Sequence, residues 1–132
     1  MKDTAQHLRN VIAEAYPVLV LQGLSETEVG EKSDPKKWSK KEILGHLIDS
    51  VCNNQQKFVR TTAQTHFDFV GYAQNHWVTA QDYQIEDWLE LLTFGKAYKL
   101  HLAHCIEKVE EPLRQIIPDL LLQSTFQNVY GA

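Results

Sequence analysis

Cysteine, proline and glycine are scarce in this sequence. Its 132 residues include two cysteines, four prolines and six glycines. Cys52 and Cys105 stand inside helical patterns rather than at the spacings of a disulfide scaffold or a CxxC pair. We therefore expect two reduced, half-buried packing residues. A chain of this length closes one hydrophobic core without disulfides, so a single domain is expected over residues 1–132.

Long apolar runs and an excess of positive charge are also missing. The N-terminus, MKDTAQHLRN, lacks the apolar core of a secretory signal, and no uncharged stretch is long enough to span a bilayer. The formal net charge is −4, so no global positive field attracts a phosphate backbone. We expect a cytoplasmic protein that binds neither membranes nor nucleic acid. One local basic cluster is interpreted as a solvated loop and helix start: Lys32, Lys36, Lys37, Lys40 and Lys41.

Apolar residues recur at helical spacing over three long segments. They predict helices over about residues 3–24, 39–64 and 84–111, the first kinked or split at Pro17. Ser39 and Glu42 have the spacing of a capping box that starts the second helix. No stretch alternates like a strand for long, so the predicted class is all-α and the architecture a helix bundle. The apolar side of the second helix includes Ile43, Leu44, Leu47, Ile48, Val51, Phe58 and Val59, and that of the third Ile85, Trp88, Leu92, Leu102, Ile106 and Val109.

Two further segments have no sustained helical period. Residues 65–83 are rich in aromatics and predict an ordered connection packed on the bundle. The tail after Pro112 supports a helical turn or two at most.

Six histidines are the candidates for a site, because imidazoles on facing helices of a bundle can converge on a divalent metal. His46 lies roughly 140° from the centre of its helix's apolar arc, which predicts a position at the rim. His101 and His104, with Cys105, have ligand-capable spacing, but periodicity predicts that they face solvent. The other three, His7, His66 and His76, are interpreted as surface or connection residues.

Other catalytic motifs are absent from the sequence. It has no Gly-rich phosphate loop, nucleophile elbow or EF-hand pattern. Glu86 and Glu90 are four residues apart on a face predicted to be solvated. His46 is therefore the single metal-ligand candidate.

The segment KWSKKEILGHLIDSVCNNQQKFVR resembles the second-helix signature of the DinB-like (YfiT-like) superfamily of metal-dependent bacterial proteins. The matching features are Trp38-Ser39, Gly45-His46-Leu47, Asp49-Ser50 and Asn53-Asn54. Downstream, GYAQNHWV at residues 71–78 is similar to the aromatic connection of the family, with Ala73 where Asp is expected. LHLAHCIEKV at residues 100–109 extends the resemblance into the third helix.

The resemblance implies an up-down four-helix bundle with a histidine triad that holds zinc or nickel. Enzymes of the superfamily that the segment resembles include hydrolases and S-transferases that act with a small-molecule thiol such as bacillithiol or mycothiol. The first ligand of the triad maps onto His46, and the other two come from an HxxxH pair on the last helix. This sequence contains no HxxxH, so His46 is interpreted as the remnant of a metal site that binds weakly or not at all.

Two functions follow as hypotheses. The first is a metal-dependent hydrolase or thiol S-transferase. Its missing ligands would come from a partner chain, from Asn53 or Asn54 with water, or from residues absent from a truncated form of the chain. The second is a metal-free helical module that binds a partner or a small ligand. A last helix that is short or missing, as in a C-terminally truncated chain, leaves an apolar groove, and a homodimer is expected to cover it.

Overall fold

The computed structural model describes residues 2–15, 22–63 and 71–108. Every regular element within these ranges is helical, which confirms the all-α class. The expected break at Pro17 and the tail beyond Pro112 lie outside them. The elements are α1 (Lys2–Ala15), α2 (Glu26–Gly30), α3 (Lys40–Thr61), α4 (Gln74–Gln81), a 3-10 turn (Tyr83–Ile85) and α5 (Trp88–Glu107).

Helix α3 begins at the predicted capping box. The Ser39 hydroxyl accepts from the Glu42 backbone N–H at 3.2 Å, and the Glu42 carboxylate accepts from the Ser39 N–H at 3.1 Å. The helix ends at Thr61, three residues before the predicted end. Its last turn is closed by the Thr61 hydroxyl, which donates to the Phe58 carbonyl at 2.8 Å.

Helix α5 begins four residues later than predicted. Asp87 is its N-cap and accepts from the Glu90 N–H at 3.0 Å, so the sequence signal at this start was Asp87 with Glu90 three residues on. Ile85 belongs instead to the 3-10 turn and is 80% exposed, so its assignment to the apolar side was wrong. Val59, predicted on the apolar side of α3, is also exposed.

Two short helices were missed by periodicity. Helix α2 lies between the first two predicted helices, where none was predicted, although Ser25 and Glu28 form a complete capping box there. Helix α4 lies within the predicted connection, and its packing against α3 agrees with an ordered segment. Five and eight residues are too few to show a helical period.

The core lies where α5 packs against α3 and α1. Helices α3 and α5 run in the same direction, because Lys41 and Gln84 meet near their starts and Gln55 and Tyr98 meet further along both. The chain between them therefore crosses back through α4. In a simple up-down bundle, as predicted, consecutive long helices are instead antiparallel. The buried apolar side chains include Leu8, Leu44, Leu47, Val51, Phe58, Trp88, Leu91, Leu102 and Ile106.

The short helix α2 is fastened at the starts of α3 and α5. The Glu26 carboxylate pairs with Lys41 and also accepts from the Trp88 backbone N–H at 2.9 Å. Lys41 is consequently buried, which corrects its assignment to a solvated cluster. The other four lysines of that cluster are exposed. None of the described helices is both long and apolar enough to cross a bilayer.

Candidate functional site

The polar side of α3 is buried rather than at a rim. His46 is 8% exposed and Asp49, one turn further along, is 2% exposed. The predicted rim position of His46 was therefore wrong. His46 is buried because α4 and the 3-10 turn pack on α3. The helical period of α3 alone cannot show that packing.

His46 lies under the indole of Trp38, with ring centroids 4.9 Å apart and the planes tilted by 34°. Its Nδ1 atom is buried and has no hydrogen-bond partner among the residues that the structure describes. Burial lowers the pKa of His46, and the nearby Asp49 carboxylate opposes that shift. Burial therefore favours the neutral form of the imidazole, which is the form that binds a metal or accepts a proton.

Asp49 is held through one oxygen only. Its Oδ1 accepts from the Tyr83 hydroxyl at 2.6 Å and from the Gln81 amide at 2.8 Å. Its Oδ2 is buried and unpaired within the described part of the chain. Burial raises the pKa of Asp49, while the hydrogen bonds from Tyr83 and Gln81 and the nearby His46 oppose the rise.

Gly45 is what lets Tyr83 reach Asp49. A Cβ atom at position 45 would lie 2.1 Å from the Tyr83 ring, so the ring rests directly on the α3 backbone. Asp82 turns the chain into this position through a left-handed conformation, with φ 50° and ψ 53°. Gly45 and Asp49 stand in the segment on which the sequence resemblance rests, whereas the part played by Tyr83 and Gln81 had no sequence signal.

The aromatic connection covers the next turn of α3. The hydroxyls of Ser50 and Tyr72 are 3.1 Å apart, and the Tyr72 and Trp77 rings meet edge to face at 5.2 Å. Beside them is an open pocket of about 290 Å³ lined by His76, Trp77, Ala80 and Gln81. Gln81 thus connects this pocket to the buried Asp49 carboxylate.

The remaining sequence candidates do not join His46. His7, His76, His101 and His104 are exposed, as predicted, and His66 lies outside the described residues. The His101 and His104 rings stack at 6.0 Å, and Cys105 Sγ lies 3.5 Å from His101 Nε2. Both cysteines are free and half-buried, as predicted.

Neither suggested asparagine is shown to complete a metal site. Asn53 donates to the Asp49 carbonyl at 2.9 Å, and Asn54 is buried. Within residues 2–15, 22–63 and 71–108, no three His, Cys, Asp or Glu side chains are grouped to hold a metal ion. His46 and Asp49 lie one turn apart on α3 and would supply at most two ligands, one fewer than a catalytic zinc site uses.

Glu86 and Glu90 are exposed, as predicted for a solvated face. Lys99 on α5 is buried, and burial lowers its pKa to about 7.

Comparison of the chain with protein-family models, with curated proteins and with solved structures finds no match.

Proposed function

We propose that this protein is a DinB-like protein in which His46 and Asp49 form an incomplete site for a divalent metal, zinc or nickel. The observation that carries the proposal is the pair of buried polar atoms, His46 Nδ1 and Asp49 Oδ2, that have no partner among the described residues. Leaving such atoms unpaired costs free energy, and a shared ligand would offset that cost.

The donor chemistry fits a transition metal in part. A neutral imidazole nitrogen and a carboxylate oxygen are both ligands that zinc accepts, and they come from consecutive turns of one helix. Two protein ligands leave the site weaker than a three-ligand catalytic centre. We therefore expect metal to be substoichiometric in the purified protein.

The neighbouring residues position the two donors. Tyr83 and Gln81 hold Oδ1 of Asp49 and so fix the direction of its free oxygen, as an outer-shell partner does. Trp38 packs on the His46 ring and shields it from water. A bound divalent metal supplies Lewis-acid polarisation of a water or a thiol, the chemistry of a hydrolase or a thiol S-transferase.

The second candidate is a metal-free module that binds a small ligand. The pocket at His76, Trp77, Ala80 and Gln81 favours it, because an indole face and an amide suit a small molecule with apolar and polar parts. This function needs no third metal ligand.

Histidine side-chain NMR during zinc and nickel titration separates the two candidates. The metal proposal expects the His46 signals to shift or broaden, and expects this response to be lost in Asp49→Asn or weakened by more than about tenfold. His7→Ala is the matched control, because His7 is exposed on α1. Unchanged His46 signals at millimolar metal would overturn the metal proposal and leave the small-ligand module.

A further inference from the structure

We propose that His101 and Cys105 form a separate metal site on the outer side of α5, and that it takes a soft or borderline divalent cation such as Zn²⁺ or Cd²⁺. The two residues are four apart on one helix, and Sγ and Nε2 already lie 3.5 Å apart. His101 is exposed and Cys105 half-buried, so an ion can reach both from solvent.

The separation of the two atoms matches the span of two ligands around one ion. Zinc binds thiolate sulfur at about 2.3 Å and imidazole nitrogen at about 2.0–2.1 Å, and a tetrahedral angle then places the two ligand atoms about 3.5 Å apart. The pair therefore needs little rearrangement to chelate. Positions four residues apart on a helix face are neighbours, so the helix itself holds this spacing.

The chemistry of the two donors selects the cation. Thiolate and imidazole favour zinc and cadmium over magnesium and calcium, which prefer oxygen. Burial raises the pKa of Cys105, so its thiol is protonated before the metal arrives. On binding, the S–H bond breaks, the proton leaves to water and a sulfur–metal bond forms, with no change of oxidation state.

The place of the pair along α5 also favours a cation. Helix α5 ends at Glu107, so Cys105 lies in its last turn, where the negative end of the helix dipole acts. A metal that bridges the pair would also tie one helical turn to the next. This site is independent of His46, which is on α3.

Cadmium titration of the reduced, untagged protein tests the site, because a cadmium–thiolate bond gives an ultraviolet charge-transfer band. We expect the band to saturate at one cadmium per chain. Cys105→Ser should abolish the band, and His101→Ala should weaken binding by more than about tenfold. Far-UV circular dichroism should show that both variants keep the helical fold, since neither residue is in the core.

Two variants serve as controls. Cys52→Ser removes the other half-buried cysteine and His46→Ala removes the proposed ligand on α3, and both should keep the band and the affinity. Loss of the band in Cys52→Ser, or an unchanged affinity in His101→Ala, would overturn the proposal. His46→Ala tests the α5 site in a protein that lacks the proposed ligand on α3. A negative result for His101 and Cys105 therefore leaves the proposal for His46 standing, and the reverse also holds.

Discussion

At position 45 the absence of a side chain lets Tyr83 pack on α3 and bond Asp49. We expect Gly45→Ala to lower the free energy of unfolding by about 1–3 kcal/mol, because the new methyl group displaces the Tyr83 ring. This reverses the usual preference of helix interiors for alanine, which is worth up to about 1 kcal/mol. Urea denaturation measures the difference.

Gly30 is the control for that substitution. It also lies in a helix, and a Cβ atom there meets nothing within 4 Å. Gly30→Ala should leave stability unchanged or slightly raised. A Gly45→Ala protein as stable as the parent would contradict the close packing of Tyr83.

His46 should make stability depend on pH. Its pKa is lower in the folded chain than the ordinary value of 6.5, so as pH falls through 6.5 the unfolded state binds the proton first. The free energy of unfolding should therefore decrease between about pH 7.5 and about pH 5.5. His46→Gln cannot bind the proton and should lose this part of the decrease.

The parent and His46→Gln are compared by urea denaturation at both pH values. The pKa of Lys99 in the folded chain is about 7, so its contribution to the free energy of unfolding rises as pH rises above that value. This contribution is present in both proteins. The raised pKa of Asp49 acts in the opposite sense to His46, because the folded state takes that proton first as pH falls towards 3.8. If the free energy of unfolding changed equally with pH in the two proteins, burial of His46 would not lower its pKa as expected.

Among the helices, the two capping boxes provide a matched pair. Ser39→Ala should cost about 0.5–2 kcal/mol through loss of the cap on α3. Ser25→Ala should cost less, because Ser25 is exposed and caps only five residues, whereas Ser39 is buried and also bonds the Gln84 side chain. The midpoint and slope of chemical denaturation measure both. A larger loss from Ser25→Ala would contradict this ranking.

For the molecule as a whole, the homodimer stays a prediction. Leu89 and Leu100 are exposed on α5, and eleven residues bring them to nearly the same helix face. Sedimentation at micromolar concentration should show a dimer, and Leu89→Lys should shift it towards monomer. Phe94→Lys, on a different face of α5, is the control. A parent protein that sediments as a monomer would exclude the dimer.

The sequence by itself determined the long helices and the start of α3. Capping and helical periodicity are local, so Ser39, Glu42 and the apolar positions from Leu44 to Phe58 predicted α3 to within a few residues. The same locality predicted exposed His101 and His104, which lie on the side of α5 away from the apolar arc that includes Trp88 and Ile106.

Only the tertiary structure decided what surrounds His46. Its burial depends on a crossover that returns α4 and the 3-10 turn to the polar side of α3, and no periodicity within α3 records that return. Asp49 could be noticed one turn from His46, but its partners Gln81 and Tyr83 are more than thirty residues away. Contacts at that separation depend on how the chain folds back, which is why the sequence named His46 and the fold supplied its neighbours.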